Sequence, residues 1–564
     1  MTGKILLWIQ GLIIYLSSLL VTGYHIYTAN QVLVIPLVYS INTPSLYPND
    51  PYVSTLMNYA APVWRLIGEL TNFIPLETLL TILFLTARAL ILIAAARLAM
   101  TLNPGSKLSA VGAMAFFAMW PSPLIGHGTL VNNYFEHTGI SLAFLLLAAA
   151  DFYSKRPYYW AIWLAIGFNL NSMYGTYACL YFLAVFLLDT DYRANWKKWI
   201  PPSAVFLILA SPTIIITASA FRIEVLDKEL WLRVSEIRFP HHLYPLTWLP
   251  VQFITFFAFV LYYSAVLSGF RKESNKLYKF GMIWLGVGLF WLIFAYAAAY
   301  VAKSPAMLVM HPARGTDLWF AFAVITTIAV FARLIEKDHL KKRLFVILFF
   351  FSILWYYLFD FTWIITIIMV IIVIGVGLKP VWNWVYNQGN TARLSNIVIL
   401  VVIIFAAYTL SGSPITEIIE NPVGYPDAQM MEIANWAGEE TPTEDVFLVD
   451  PNWSEFRSIS QRPVFVTWKD GSAILWERSY VEEWVERIEA LGYNLDKPKA
   501  VGMSSALRKL LSKRYNSIDD EYAIELSDKY PIGYWIVPIE YTSSFQVVFQ
   551  TTDYKVLLLQ SPNE

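Results

Sequence analysis

The chain has 564 residues, of which 57% are hydrophobic and only 14% charged, with a formal net charge of −1. Soluble domains carry about a quarter charged residues, so this composition excludes an ordinary soluble fold, and the lack of a basic excess excludes a nucleic-acid binder. The balance is uneven: residues 412–564 hold 25 acidic and 13 basic side chains, a net of −12, which leaves +11 for the remainder.

Apolar runs long enough to cross a roughly 30 Å hydrocarbon layer recur up to Gly412 and then stop. They predict thirteen crossings, at about 5–23, 78–99, 108–125, 138–153, 159–171, 175–189, 202–220, 248–269, 281–301, 317–335, 344–360, 362–378 and 394–411. The first run has no Ala-x-Ala cleavage pattern and reads as an uncleaved span. The fifth and sixth form one apolar stretch broken at residues 169–175, read as a tight hairpin of two short helices, with one long tilted helix as the alternative. With the N-terminus inside, inner segments carry eighteen Lys and Arg against seven in the outer connections. The positive-inside rule then puts the tail outside. The expected fold is thus an α-helical polytopic membrane protein: residues 1–411 form the transmembrane domain, with long outer loops at 24–77 and 221–247, and residues 412–564 form an extracytoplasmic α/β domain. The first loop, rich in aromatic and aliphatic residues around Tyr52–Ile67, suits short helices lying in the membrane interface.

In the tail, the expected elements are helix 428–436, strand 446–450, helix 454–460, strand 464–468, helix 472–491, helices near 503–514 and 518–529, and strands 532–538, 545–550 and 554–560. Such an order predicts a mixed sheet with helical cover. The Trp468-Lys469-Asp470-Gly471 turn falls at the carboxyl end of a strand, where α/β folds bind ligands. Lys469 could hold an anion there. Equally, Asp470 or Ser472 could simply cap a helix, with Gly471 at positive φ. The only cysteine, Cys179, lies in an apolar run, so the tail contains no disulfide.

Ionisable residues near hydrocarbon must be accounted for, because an unpaired charge there costs several kcal/mol. Most of them fall at outer connections: Asp50, then Glu136 and His137 in Asn132–His137, then Arg238 with His241 and His242, and His311, Arg314 and Asp317. An arginine grips a phosphate in two-pronged fashion, and a carboxylate removes a proton from an attacking hydroxyl. That pairing suits transfer of a sugar from a phosphate carrier to an alcohol, although each group could instead cap a helix, pair with a neighbour or snorkel to water. Arg88 and Asp151 lie within spans and are expected to pair with each other. Neither His241 nor His242 has ligands at metal spacing beside it, so no metal site is expected.

A first span, a long loop containing Asp50, a polar second turn at Asn132–His137, many further spans and a terminal α/β domain together resemble the C-type glycosyltransferase fold of polytopic enzymes using polyprenyl-phosphate-linked sugars. By that resemblance Asp50 acts as catalytic base or metal-side acid and Arg314 contacts the carrier phosphate; Glu136, His137, His311 and Arg238, beside them at the outer connections, are read as substrate-binding. It implies a glycan, lipid or protein acceptor and a prokaryotic plasma membrane with its cell envelope. The second turn lacks the paired aspartates of metal-dependent relatives, and the tail lacks the Trp-Trp-Asp-Tyr-Gly motif of oligosaccharyltransferases. The resemblance therefore implies neither a metal cofactor nor asparagine-linked transfer. The segment Phe456–Gly471 also looks like one in uncharacterised bacterial multi-pass proteins. A lipid or polysaccharide transporter and a non-catalytic scaffold or sensor are the rival classes.

Overall fold

The computed structural model describes residues 2–118, 125–126, 130–220, 227–336 and 423–559. Ten of the thirteen expected spans coincide with helices: α1 (Thr2–Thr22), α5 (Leu76–Leu102), α6 (Lys107–Ala118), α7 (His137–Tyr153), α8 (Pro157–Leu170), α9 (Ser172–Leu188), α11 (Ile200–Ala220), α14 (Pro250–Phe270), α15 (Asn275–Tyr296) and α17 (Gly315–Glu336). The other three spans, and the expected domain boundary at 411/412, lie outside the described residues. Five helical segments are long and apolar enough to cross a membrane. The chain is an integral membrane protein.

α8 and α9 are separate helices meeting at Asn171, whose side chain caps α9 by accepting from the Tyr174 N–H at 3.0 Å. The hairpin reading therefore describes this stretch better than a single helix. The connections expected to be outer fold into α2 (Gln31–Asn42), α3 (Pro51–Thr55) and α4 (Pro62–Leu70), then α12 (Lys228–Arg238) and α13 (Pro240–Leu243), then α16 (Pro305–Leu308). α10 (Thr190–Arg193) lies at the opposite end of the bundle. Tyr52, Leu56 and Trp64 of the first loop are fully buried. These short helices thus pack their inner faces between the bundle and the C-terminal domain, while Met57, Leu66 and Phe73 of the same loop stay exposed.

The C-terminal domain contains α18 (Ala428–Glu440), α19 (Phe456–Ser460), α20 (Tyr480–Ala490), α21 (Ser505–Tyr515) and α22 (Asp520–Lys529) around one mixed sheet of order β1-β2-β4-β3. Its strands are β1 (Val446–Leu448), β2 (Ile532–Pro538), β3 (Gln546–Gln550) and β4 (Tyr554–Leu558). β1 runs parallel to β2 with Phe447 opposite Tyr534, and the other pairs are antiparallel with Trp535 opposite Leu557. The expected strand 464–468 is reduced to a single bridge between Phe447 and Val464. Pro463 has no N–H, and the Val464 and Thr467 N–H groups donate to the carboxylates of Asp50 and Asp470 instead of to a neighbouring strand.

The expected pairing of Arg88 with Asp151 is not formed. Asp151 binds Arg97 at 2.5 Å and the Trp163 indole at 2.9 Å. Arg88 instead donates to the Thr22 hydroxyl at 3.1 Å and the Asn132 carbonyl at 2.7 Å.

Candidate functional site

Asp50 caps α3, its Oδ1 accepting from the Val53 N–H at 3.2 Å. Its Oδ2 accepts from Arg457 Nε at 2.5 Å and from the Val464 N–H at 3.1 Å. Arg457 then grips Asp470 with two bonds of 2.8 Å and lies 4.7 Å over the Tyr52 ring. All three charged side chains are at most 2% exposed. Burial holds the Asp50 carboxyl above the ordinary aspartate range, while Arg457 pulls it down. Both oxygens are engaged, so this carboxylate joins the first loop to the C-terminal domain. Asp470 closes a capping box with Thr467 at the start of the 3-10 turn Trp468–Leu475, in line with the capping alternative. Gly471 is not at positive φ. It is small because a Cβ there would fall 2.7 Å from the Trp484 ring.

Arg238 is likewise committed. It donates to the Trp468 carbonyl at 2.9 Å and to the Ser472 hydroxyl at 3.3 Å, and stacks over Trp468, which fastens α12 to the C-terminal domain.

Glu136, His137, His311 and Arg314 are different. Glu136 is the residue before α7, 9% exposed, and among the described residues its carboxylate accepts from two side-chain amides, Asn30 at 2.9 Å and Asn132. His137 opens α7, and its Nδ1 accepts from the Trp64 indole at 3.1 Å, which leaves Nε2 as the nitrogen able to carry the proton. Arg314 ends a 3-10 turn that starts from His311, a residue held at φ 45°. Gly315 lets that turn approach the bundle, because a Cβ there would lie 2.4 Å from Trp291. The Arg314 side chain is 18% exposed, and its only carboxylate contact among the described residues is Asp317 at 3.9 Å. Asp317 in turn accepts from the Tyr174 hydroxyl at 2.6 Å.

Asp317 and Glu136 are the carboxylates whose charge acts most strongly on Arg314, and both Glu136 and Arg314 act on the Tyr59 phenol. Tyr59 packs 5.0 Å from Trp476 of the C-terminal domain. From that domain comes Lys469, which donates to the Ala29 carbonyl and feels the charges of Glu455, Arg238 and Glu136. Burial lowers its ammonium pKa to about 8. The charge of Glu136, from the 132–137 turn, thus acts on Arg314 of the 311–317 turn and on Lys469 of the C-terminal domain, without an ion pair between Glu136 and either cation.

The sequence named Glu136, His137, His311, Arg314 and the Lys469 turn. Arg457, Tyr59 and Trp476 were missed. No local signal marks them, because each acquires its role from a partner far away in the chain. Among the described residues, no group of three or more His, Cys, Asp and Glu could hold a metal ion.

Residues 428–491 match a protein family described as a domain of unknown function (DUF6798). No curated protein matches the chain. Among solved structures it is similar to an oligosaccharyltransferase from Archaeoglobus fulgidus tethered to an acceptor peptide, at 14% identity and TM-score 0.39, over 95% of this chain and 69% of that one. It is also similar to ArnT from Cupriavidus metallidurans. Bound to undecaprenyl phosphate, that protein gives 10% identity and TM-score 0.39 over 100% of this chain and 98% of that one. In its apo state it gives 12% identity and TM-score 0.40 over 99% and 98%. Likeness at this level carries no inference about the reaction.

Proposed function

We propose that this protein is a membrane glycosyltransferase that moves a sugar from a polyprenyl-phosphate carrier to an acceptor hydroxyl at the outer membrane face. What supports the reading is that the charge of Glu136 acts on both Arg314 and Lys469, which come from separate parts of the chain. Structural ion pairs neutralise each other in contact, as Asp50 and Arg457 do. Glu136 contacts neither cation within 4.0 Å, which leaves its carboxylate able to take a proton from a hydroxyl and the cations able to meet a phosphate.

In this scheme the acceptor oxygen attacks the anomeric carbon, and the bond from that carbon to the phosphate oxygen breaks with its electron pair staying on the phosphate. Glu136, rather than Asp50, takes the acceptor proton. Arg314 and Lys469 stabilise the charge gathering on the leaving phosphate. His137 and His311 border the sugar.

Glu136→Gln keeps the side chain's size and removes its basicity. It is expected to lower transfer from a lipid-linked donor by about 10²- to 10⁴-fold at normal abundance of purified protein. Arg314→Ala is expected to lower transfer as well. Full activity in both variants would dismiss the enzyme reading.

A second reading, a non-catalytic membrane scaffold or sensor, is favoured by the buried Asp50–Arg457–Asp470 network that closes the C-terminal domain onto the bundle. Unchanged glycoconjugate production on deletion of the protein would support it.

A further inference from the structure

A cavity of about 800 Å³ lies between α12–α14 and the 495–504 loop of the C-terminal domain. Ligand sites favour this size and this kind of domain boundary. Its lower edge is Trp248 and Leu249, where α14 begins. Leu246, Leu249 and Ile254 around that edge are 62–69% exposed, an apolar belt at the level where α14 enters hydrocarbon. The opposite wall is Val501 and Met503.

The polar groups lining the cavity include a carboxylate and an amide. Glu236 is exposed and makes no hydrogen bond or ion pair among the described residues. Gln252 uses its amide oxygen to cap the Leu249 N–H, and its amide hydrogens have no partner among the described residues. The one guanidinium in the lining, Arg233, is paired to Asp496. A carboxylate and an amide seek hydroxyl groups, and no unpaired arginine or lysine is present to favour an anionic headgroup. The His241 ring borders the cavity 4.0 Å from His242, which stands 5.9 Å from His311. The His311 carbonyl accepts the Arg314 N–H at 2.9 Å. A row of three imidazoles thus joins the cavity to the candidate site.

We infer that this cavity seats the acceptor, and that the acceptor is an amphipathic lipid with a neutral, hydroxyl-bearing headgroup that enters from the membrane plane over Trp248 and Leu249. The inference rests on the glycosyl-transfer reading and names its acceptor class. The apolar belt takes the hydrocarbon part, Glu236 and Gln252 take the hydroxyls, and the histidine row leads from the headgroup to Arg314.

The test uses the full chain in phosphatidylcholine nanodiscs and a dodecyl maltoside carrying a diazirine on its alkyl chain, with cross-linked peptides identified after photolysis. Labelling is expected within 236–252 and 498–504. Unlabelled dodecyl maltoside should compete, whereas dodecylphosphocholine and free maltose should not. Val501→Trp fills the cavity from the loop side and should cut labelling by about tenfold with thermal unfolding unchanged. Labels spread evenly over all spans, equal competition by dodecylphosphocholine, or full labelling of Val501→Trp would overturn the site. Competition by free maltose alone would replace the lipid with a soluble glycan and overturn the acceptor class. Binding is read without turnover, so the two readings separate. Normal labelling with unimpaired transfer by Glu136→Gln removes the catalytic scheme and with it the acceptor role. Lost labelling with transfer abolished in Glu136→Gln removes the cavity proposal alone.

Discussion

Asp50 and Glu136 are acids in turns at the same end of the bundle, and their partners set them apart. Asp50 gives both oxygens to Arg457 and two backbone N–H groups, so Asp50→Asn leaves part of a buried arginine uncompensated. Breaking such a pair costs about 3–5 kcal/mol. Asp50→Asn is therefore expected to lower thermal stability and abundance, and to lower activity only in proportion; normal stability with lost transfer would return Asp50 to catalysis. Lys469 supplies a pH test. Its pKa is pulled down to about 8 by burial, so it is an ammonium below that pH and an amine above it. Transfer that uses its charge should fall as pH rises through about 8, and Lys469→Arg, which stays charged, should extend activity to higher pH. A profile identical in both forms would exclude Lys469 from phosphate binding. At this scale the sequence was informative where chemistry is local: Glu136, His137, His311 and Arg314 stand out as polar residues beside apolar spans. It did not reveal the partner of Asp50, because Arg457 lies 407 residues away.

Among the elements, apolar runs and β-branched residues marked ten helices and the strands β2, β3 and β4 to within a few residues. They failed where tertiary partners outweigh local preference. The expected helix 472–491 is a 3-10 turn and then α20, separated at Trp476–Ser479. There the Trp476 indole donates to the Thr55 hydroxyl at 3.1 Å and Glu477 accepts from Asn58 at 2.5 Å. These bundle contacts pull the segment out of helix. The hairpin of α8 and α9 depends on Gly175, where a Cβ would meet the Phe168 Cα at 2.7 Å. Backbone cannot swing aside as a side chain does, so Gly175→Ala is expected to force the helices apart at a cost of about 1–3 kcal/mol. Reduced abundance and a lower unfolding temperature would register it; wild-type behaviour would mean that the two helices meet less closely.

For the whole molecule, the charge asymmetry makes a directional prediction. Lys509 lies in the C-terminal domain and Lys197 at the far end of the bundle, both exposed. With Cys179 replaced by Ser, an impermeant thiol reagent added to intact cells should label Lys509→Cys and spare Lys197→Cys; the reverse pattern would put the C-terminal domain in the cytoplasm. The Asp50–Arg457 contact also has a meaning for biogenesis. Translation at about 5–20 residues per second separates the emergence of these two residues by roughly 20–80 s. Throughout that interval α2–α4 stand without the surface they are shaped to fit, with Tyr52 and Asp50 open to proteases and chaperones. Chains stalled before Arg457 should therefore be degraded from the first loop.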